Sequence, residues 1–178
     1  MTLPDHYKWL LNEPRIPMLA EALKYYGLKE APGSADNPTI LKWAHDFGID
    51  WYTHDSISWC SLYMGQVAKD AGYMPPNKNK LLAAVSWMDW GVRVQSTPML
   101  GDVMVFNRPG GHHVGLYIGE DAQSYLTFGG NVSDAVGFAK IAKNRFLGAR
   151  MGKAGEIFPN RRQINIADSG TPLSQNEA

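Results

Sequence analysis

"DVMVFNRPGGHHVGLYIGED", Asp102–Asp121, reads as two β-strands joined by a turn. Residues of period two flank "RPGG", whose proline and glycines set up a reversal. On the second strand His113, Gly115 and Tyr117 fall on one face. His112, Val114, Leu116 and Ile118 fall on the other, because successive strand side chains point to opposite sides. A third strand follows in "SYLTFGGN", and a last one covers "RFLGARM". Strands this close together in sequence, with short turns, form an antiparallel sheet.

Upstream the period changes to that of a helix. Met18, Leu19, Ala22, Leu23 and Tyr26 make one apolar stripe that stops at Gly27. Asn37 followed by Pro38 is an N-cap and first helical residue, with Ile40, Leu41, Ala44 and Phe47 as the buried face. A third helix lies in "SISWCSLYMGQVAKDAGY", Ser56–Tyr73, capped by Ser56 or Ser58 and closed by Gly72. It buries Trp59, Leu62, Tyr63, Val67 and Ala71, with Cys60 and Met64 on the adjoining stripe. "LLAAVSWMDWG" reads as a fourth, short helix. Helices first and strands afterwards give an α+β fold, with N-terminal helices packed on a central antiparallel sheet.

The chain has 178 residues, enough for one domain with its own core. Residues 1–155 are expected to form a single catalytic domain and 156–178 a polar extension, with a loose tail from about Asp168. Zero formal net charge excludes binding to nucleic acid driven by phosphate contacts. One cysteine excludes an internal disulfide. The N-terminal stretch lacks the pattern of a signal peptide, and no run is long enough to span a bilayer. The expectation is a protein made in the cytoplasm, without membrane insertion, that reaches its target only after release or secretion.

Cys60 opens a helix, where unpaired backbone N–H groups and the helix dipole favour a thiolate. His113 supplies an imidazole on a strand, and Asn131 a carboxamide after Gly129–Gly130. A nucleophile, a base and a group that orients the base is the arrangement of thiol hydrolases. The expectation is that folding brings the three within bonding reach beside an open cleft. Two alternatives stand beside it. Cys60 is also a suitable core filler, and Asn131 a suitable turn residue. His45, His54, His112 and His113, with Asp46 or Asp55, are the raw material of a metal site, but no HExxH spacing occurs.

"SWCSLYMGQVAKDAGY", "SWMDWG", "LGDVMVF", "GGHHVGLYIGED" and "LTFGGNVSDAV" occur in an order that resembles papain-like cell-wall hydrolases of the NlpC and CHAP superfamily. The likeness is closest to a subgroup found in phages, prophages and bacterial effectors, and it runs from about Ala20 to Arg150. "PGSADNPTILKWAHDFG" resembles that subgroup's entry segment. The resemblance implies a papain-like fold, with Cys60 as nucleophile, His113 as general base and acid, and Asn131 as the orienting residue. It implies a structural role for Asp102 and a harmless replacement of alanine by Ser61. No metal or organic cofactor is implied. The implied partner is bacterial peptidoglycan, cut at an amide of its peptide stem in the periplasm or on the wall. Delivery would depend on a holin, or on secretion with a matching immunity protein. Trp59, His112 and Tyr117 are the expected substrate-binding residues, chosen from a wider aromatic set that includes Trp51, Tyr52 and Trp87. A wall-binding or phage structural module without turnover is the alternative on the same fold.

Overall fold

The computed structural model describes residues 2–13, 15–153, 158–166 and 170–177. Three α-helices precede the sheet: α1 (Pro17–Leu23), α2 (Pro38–Asp46) and α3 (Cys60–Asp70). Six strands follow: β1 (Val92–Arg93), β2 (Val103–Arg108), β3 (Gly111–Glu120), β4 (Ser124–Val132), β5 (Ala135–Ala142) and β6 (Phe146–Met151). They form one antiparallel sheet in the order β1-β6-β2-β3-β4-β5. The fold is thus mixed α+β.

The sheet has two unlike faces. Val105, Val114, Leu116, Ile118, Leu126 and Phe128 join the helices in the main core with Leu62, Tyr63, Met64 and Val67. Met104, Phe106, Tyr117, Tyr125, Ala139, Ile141 and Ala149 form a smaller cluster on the other side. The alternation read along Gly111–Glu120 produces this division directly. Close approach of α3 to the sheet requires Gly130, where a Cβ would stand 2.6 Å from Tyr63 Cβ.

Several local expectations differ from the structure. Asn37 does cap α2, its Oδ1 accepting from the Thr39 amide at 2.9 Å. Neither Ser56 nor Ser58 caps α3; Trp59 holds that position without a side-chain bond. "LLAAVSWMDWG" contributes a 3-10 turn at Ala84–Asp89 instead of an α-helix. A further 3-10 turn covers Asp5–Asn12. Strand β5, "AVGFAKIA", was not expected, because small residues break its apolar alternation.

The expected boundary near Gly155 lies outside the described residues, as do Asp168, Ser169 and Ala178 of the expected tail. The described part of that tail is not loose. Leu173 bridges to Lys140 on β5, the Ser174 amide donates to Lys140 O at 2.7 Å, and Glu177 is fully buried. No helix among the described residues is long and apolar enough to cross a membrane.

Candidate active site

Cys60 is the first residue of α3, and its side chain is buried at 3% exposure. Burial pushes the thiol up, against the pull of the Val114 backbone N–H, the Arg108 charge and the amides of Ser61 and Cys60 itself. The helix start therefore acts in the expected direction but loses to desolvation. The Cys60 pKa is thus held above the ordinary thiol value, opposite to the shift that its position suggests. Its sulfur nonetheless faces the amide of the residue next to His113.

His113 sits on β3 opposite Phe106 of β2 and is completely buried. Burial lowers its pKa to about 4; Glu177 raises it, while Arg108 and Arg145 lower it further. Both ring nitrogens lack a hydrogen-bond partner. Strand β4 runs close beside the ring, and a Cβ on Gly129 would stand 3.4 Å from His113 Nε2. Gly129 and Gly130 together let β4 thread between the imidazole on one side and Trp59 and Tyr63 on the other. Asn131 comes next, in the left-handed region at φ 54°, with its Oδ1 buried and unpartnered. The β3–β4 register that pairs Leu116 with Phe128 would, if continued, set Asn131 opposite His113.

The register sets Asn131 near His113, but His113 shares its face of the sheet with Tyr117 and Phe106 while Cys60 belongs to the helix-side core, and no hydrogen bond links the three. The expected open cleft is also absent around them: all three side chains are buried. Of seven buried side-chain atoms without a partner among the described residues, four belong to Arg108, His113 and Asn131. Such atoms are rare in folded proteins, and each costs about 1–3 kcal/mol. Arg108 acts on both the His113 ring and the Cys60 thiol, so part of this unsatisfied polarity surrounds the imidazole.

The expected groove residues fare differently. Trp59 is fully buried and donates its indole N–H to Glu30 Oε1 at 2.7 Å. Tyr117 is fully buried and donates to Glu120 Oε1 at 3.0 Å. Both are core residues, not groove residues. His112 is half-buried. Tyr52 and Trp87 are core; Trp51 is exposed and borders a cleft with Lys78 and Leu82, formed without Cys60 or His113.

Other residues singled out in the sequence have clear local roles. Asp102 accepts from the Met99 amide and, through both oxygens, from Arg161 at 2.8 Å. Ser61 is more than a neutral replacement. Its hydroxyl accepts from Trp87 Nε1 and donates to Leu81 O, tying α3 to the 3-10 turn beneath it. Its burial and its bonds were not signalled by the helical pattern. His45 meets Asp50, His54 meets Asp36, and Asp55 accepts from the amides of Ala31 and Asn37. No three His, Cys, Asp or Glu side chains converge as a metal-binding set among the described residues.

Three groups missed by sequence reasoning complete the site. Arg108, at the end of β2, donates to Ser58 Oγ two residues before Cys60. Arg145 and Glu177 form an ion pair next to His113. Only the clustering of charge in a buried place reveals them, and linear spacing carries no such signal. The sequence matches no model of a known protein family and no curated protein.

Proposed function

We propose that the protein is a cysteine-dependent amide hydrolase of papain-like architecture that acts on the peptide stem of bacterial peptidoglycan. The observation that carries the chemistry is the set of unpartnered buried atoms on His113 and Asn131, with Cys60 opening the helix that packs on the same sheet and the Val114 amide acting on its thiol. The wall peptide as substrate rests on the resemblance of five ordered motifs. The setting, phage lysis or attack on a competing bacterium, rests on it too.

In the proposed reaction the Cys60 sulfur, deprotonated by His113, attacks the amide carbonyl carbon. The backbone N–H groups at the start of α3 donate hydrogen bonds to the developing oxyanion. The imidazolium then protonates the leaving amine as the C–N bond breaks, leaving a thioester. Water, deprotonated by His113, cleaves that thioester and restores the thiol. Asn131 orients the ring. Turnover requires the site to open first, because both side chains are buried.

A second reading, a wall-binding module without turnover, is favoured by that same closure. A gel embedded with purified peptidoglycan separates the two. Clearing by the native chain and none by Cys60→Ala supports the enzyme. Equal behaviour of the two proteins removes the thiol mechanism.

A further inference from the structure

The end of the described chain packs back onto the arginines beside His113. Residues 170–177 pass β5 at Lys140, where the Ser174 amide donates to Lys140 O at 2.7 Å. Upstream, Thr171 Oγ1 meets the Tyr7 hydroxyl at 2.6 Å. Downstream, Asn176 Oδ1 accepts from Arg108 Nη1 at 3.3 Å, and Arg108 also holds Ser58. Glu177 then enters the protein with no exposed surface, its two carboxylate oxygens on Arg145 Nη1 and Nη2. After burial, Glu177 is the strongest influence on His113.

A fully buried glutamate is rare unless a partner has been built for it. Here the partner does not depend on the glutamate. Arg145 Nε donates to Asn107 O at 2.7 Å, so the backbone of β2 fixes the guanidinium from behind. Its two Nη groups remain directed at a carboxylate in the paired geometry for which arginine is suited. Arg108 adds a second positive charge beside the same imidazole. With residues 170–177 displaced, these two cations and an unpartnered histidine would face an unfilled space.

We propose that Arg145 is a carboxylate-binding subsite of the Cys60–His113 centre, filled in cis by Glu177, so that residues 170–177 occupy the place of an acidic peptide substrate. The inference rests on the hydrolase reading for its substrate, but not for its geometry. It predicts substrates with a free carboxylate near the scissile amide, and a resting protein that holds itself closed until such a group competes for Arg145.

The test uses carbamidomethylation of Cys60 by iodoacetamide, followed by intact mass; the chain has no other cysteine. Glu177→Gln in the full chain keeps the side chain's shape and removes its charge. It is expected to raise the alkylation rate roughly tenfold or more by populating the open state. Ser174→Pro, which deletes the amide bonded to Lys140 O, is expected to do the same if the first variant folds poorly. Unchanged rates in both overturn the inference. In the Glu177→Gln protein, glutarate at equal ionic strength is expected to slow alkylation again, and neutral glutaramide is not. Replacing Arg145 by Gln in that background is expected to abolish the glutarate effect. Equal effects of the two probes, or a glutarate effect that survives Arg145→Gln, overturn the carboxylate subsite. Fast alkylation of the opened chain without any wall hydrolysis would leave this inference standing and defeat the hydrolase. Cys60-dependent hydrolysis with unchanged alkylation in both variants would do the reverse.

Discussion

The two faces of the sheet are held down by different physics. On the helix side, α1–α3 cover Val114, Leu116, Ile118 and Phe128 with an apolar core in which Leu62, Tyr63, Met64 and Val67 have no exposed surface. On the other side a small aromatic cluster around Phe106, Tyr117 and Tyr125 is bordered by ion pairs: Lys143 with Glu120, and Arg145 with Glu177. Apolar packing on the first side is dense and has no low-cost way to open. Against the second side lie residues 170–177, held by hydrogen bonds at Lys140 and Arg108 and by the Arg145–Glu177 pair. Cys60 belongs to the first side, and His113, paired with Phe106, to the second. Stability is therefore assigned to the helix side, and access to the site to the other.

The largest expected effect breaks the helix side. Trp87 is fully buried, so Trp87→Ala should cost about 3–5 kcal/mol through a large cavity, measured as a lower urea midpoint. A cost near zero would mean that this core is not close-packed. Ser61→Ala comes next. It leaves Trp87 Nε1 and Leu81 O without their shared partner and should cost about 2 kcal/mol in the same measurement. Glu177→Gln on the opposite side breaks an ion pair whose carboxylate is fully buried, but Arg145 retains Asn107 O and Ser174 O, so the loss should stay below that of Trp87→Ala in the same measurement. Its effect on Cys60 alkylation should nonetheless be the larger of the three. A stability loss in Glu177→Gln as great as in Trp87→Ala would erase the distinction between the faces.

A pH series sharpens the comparison further. The His113 pKa is lowered from 6.5 to about 4 in the fold. Between those values the unfolded chain binds the proton that the folded chain refuses, so stability falls as pH falls through that window. Burial is the main cause, and Arg108 and Arg145 add to it, while Glu177 opposes them. His113→Gln should flatten the acid-side fall of the melting temperature. An equally steep fall in the variant would mean that His113 is already solvated. Glu177 itself, held below the ordinary carboxylate value by Arg145 and His113 despite its burial, loses its contribution only at lower pH.

The helix side was largely legible in the sequence because one rule governs it. The stripe Trp59, Leu62, Tyr63, Val67 and the alternation Val114, Leu116, Ile118 each follow from the period of their element. Gly129–Gly130 was visible before Asn131, but not as the strip of β4 that passes between His113 and α3. The other side was not legible. Glu177 lies 32 positions from Arg145, and Arg108 lies 50 from Ser58. A buried ion pair of that separation leaves no periodic trace, and polar composition after Gly155 reads as solvated chain. The state of Cys60 was misjudged for a related reason. Position at a helix start is visible in a sequence, whereas the burial that outweighs it comes from tertiary packing of Cys60 into the main core.

Opening the site also removes closure as an explanation for inactivity. The most direct test therefore measures release of new amines from purified peptidoglycan by the Glu177→Gln chain, with and without Cys60→Ala. The account predicts steady release by the first protein and background release by the second, with the cut bond identified by mass spectrometry of the fragments. Equal release by both, or none by a folded chain whose Cys60 alkylates freely, would contradict it.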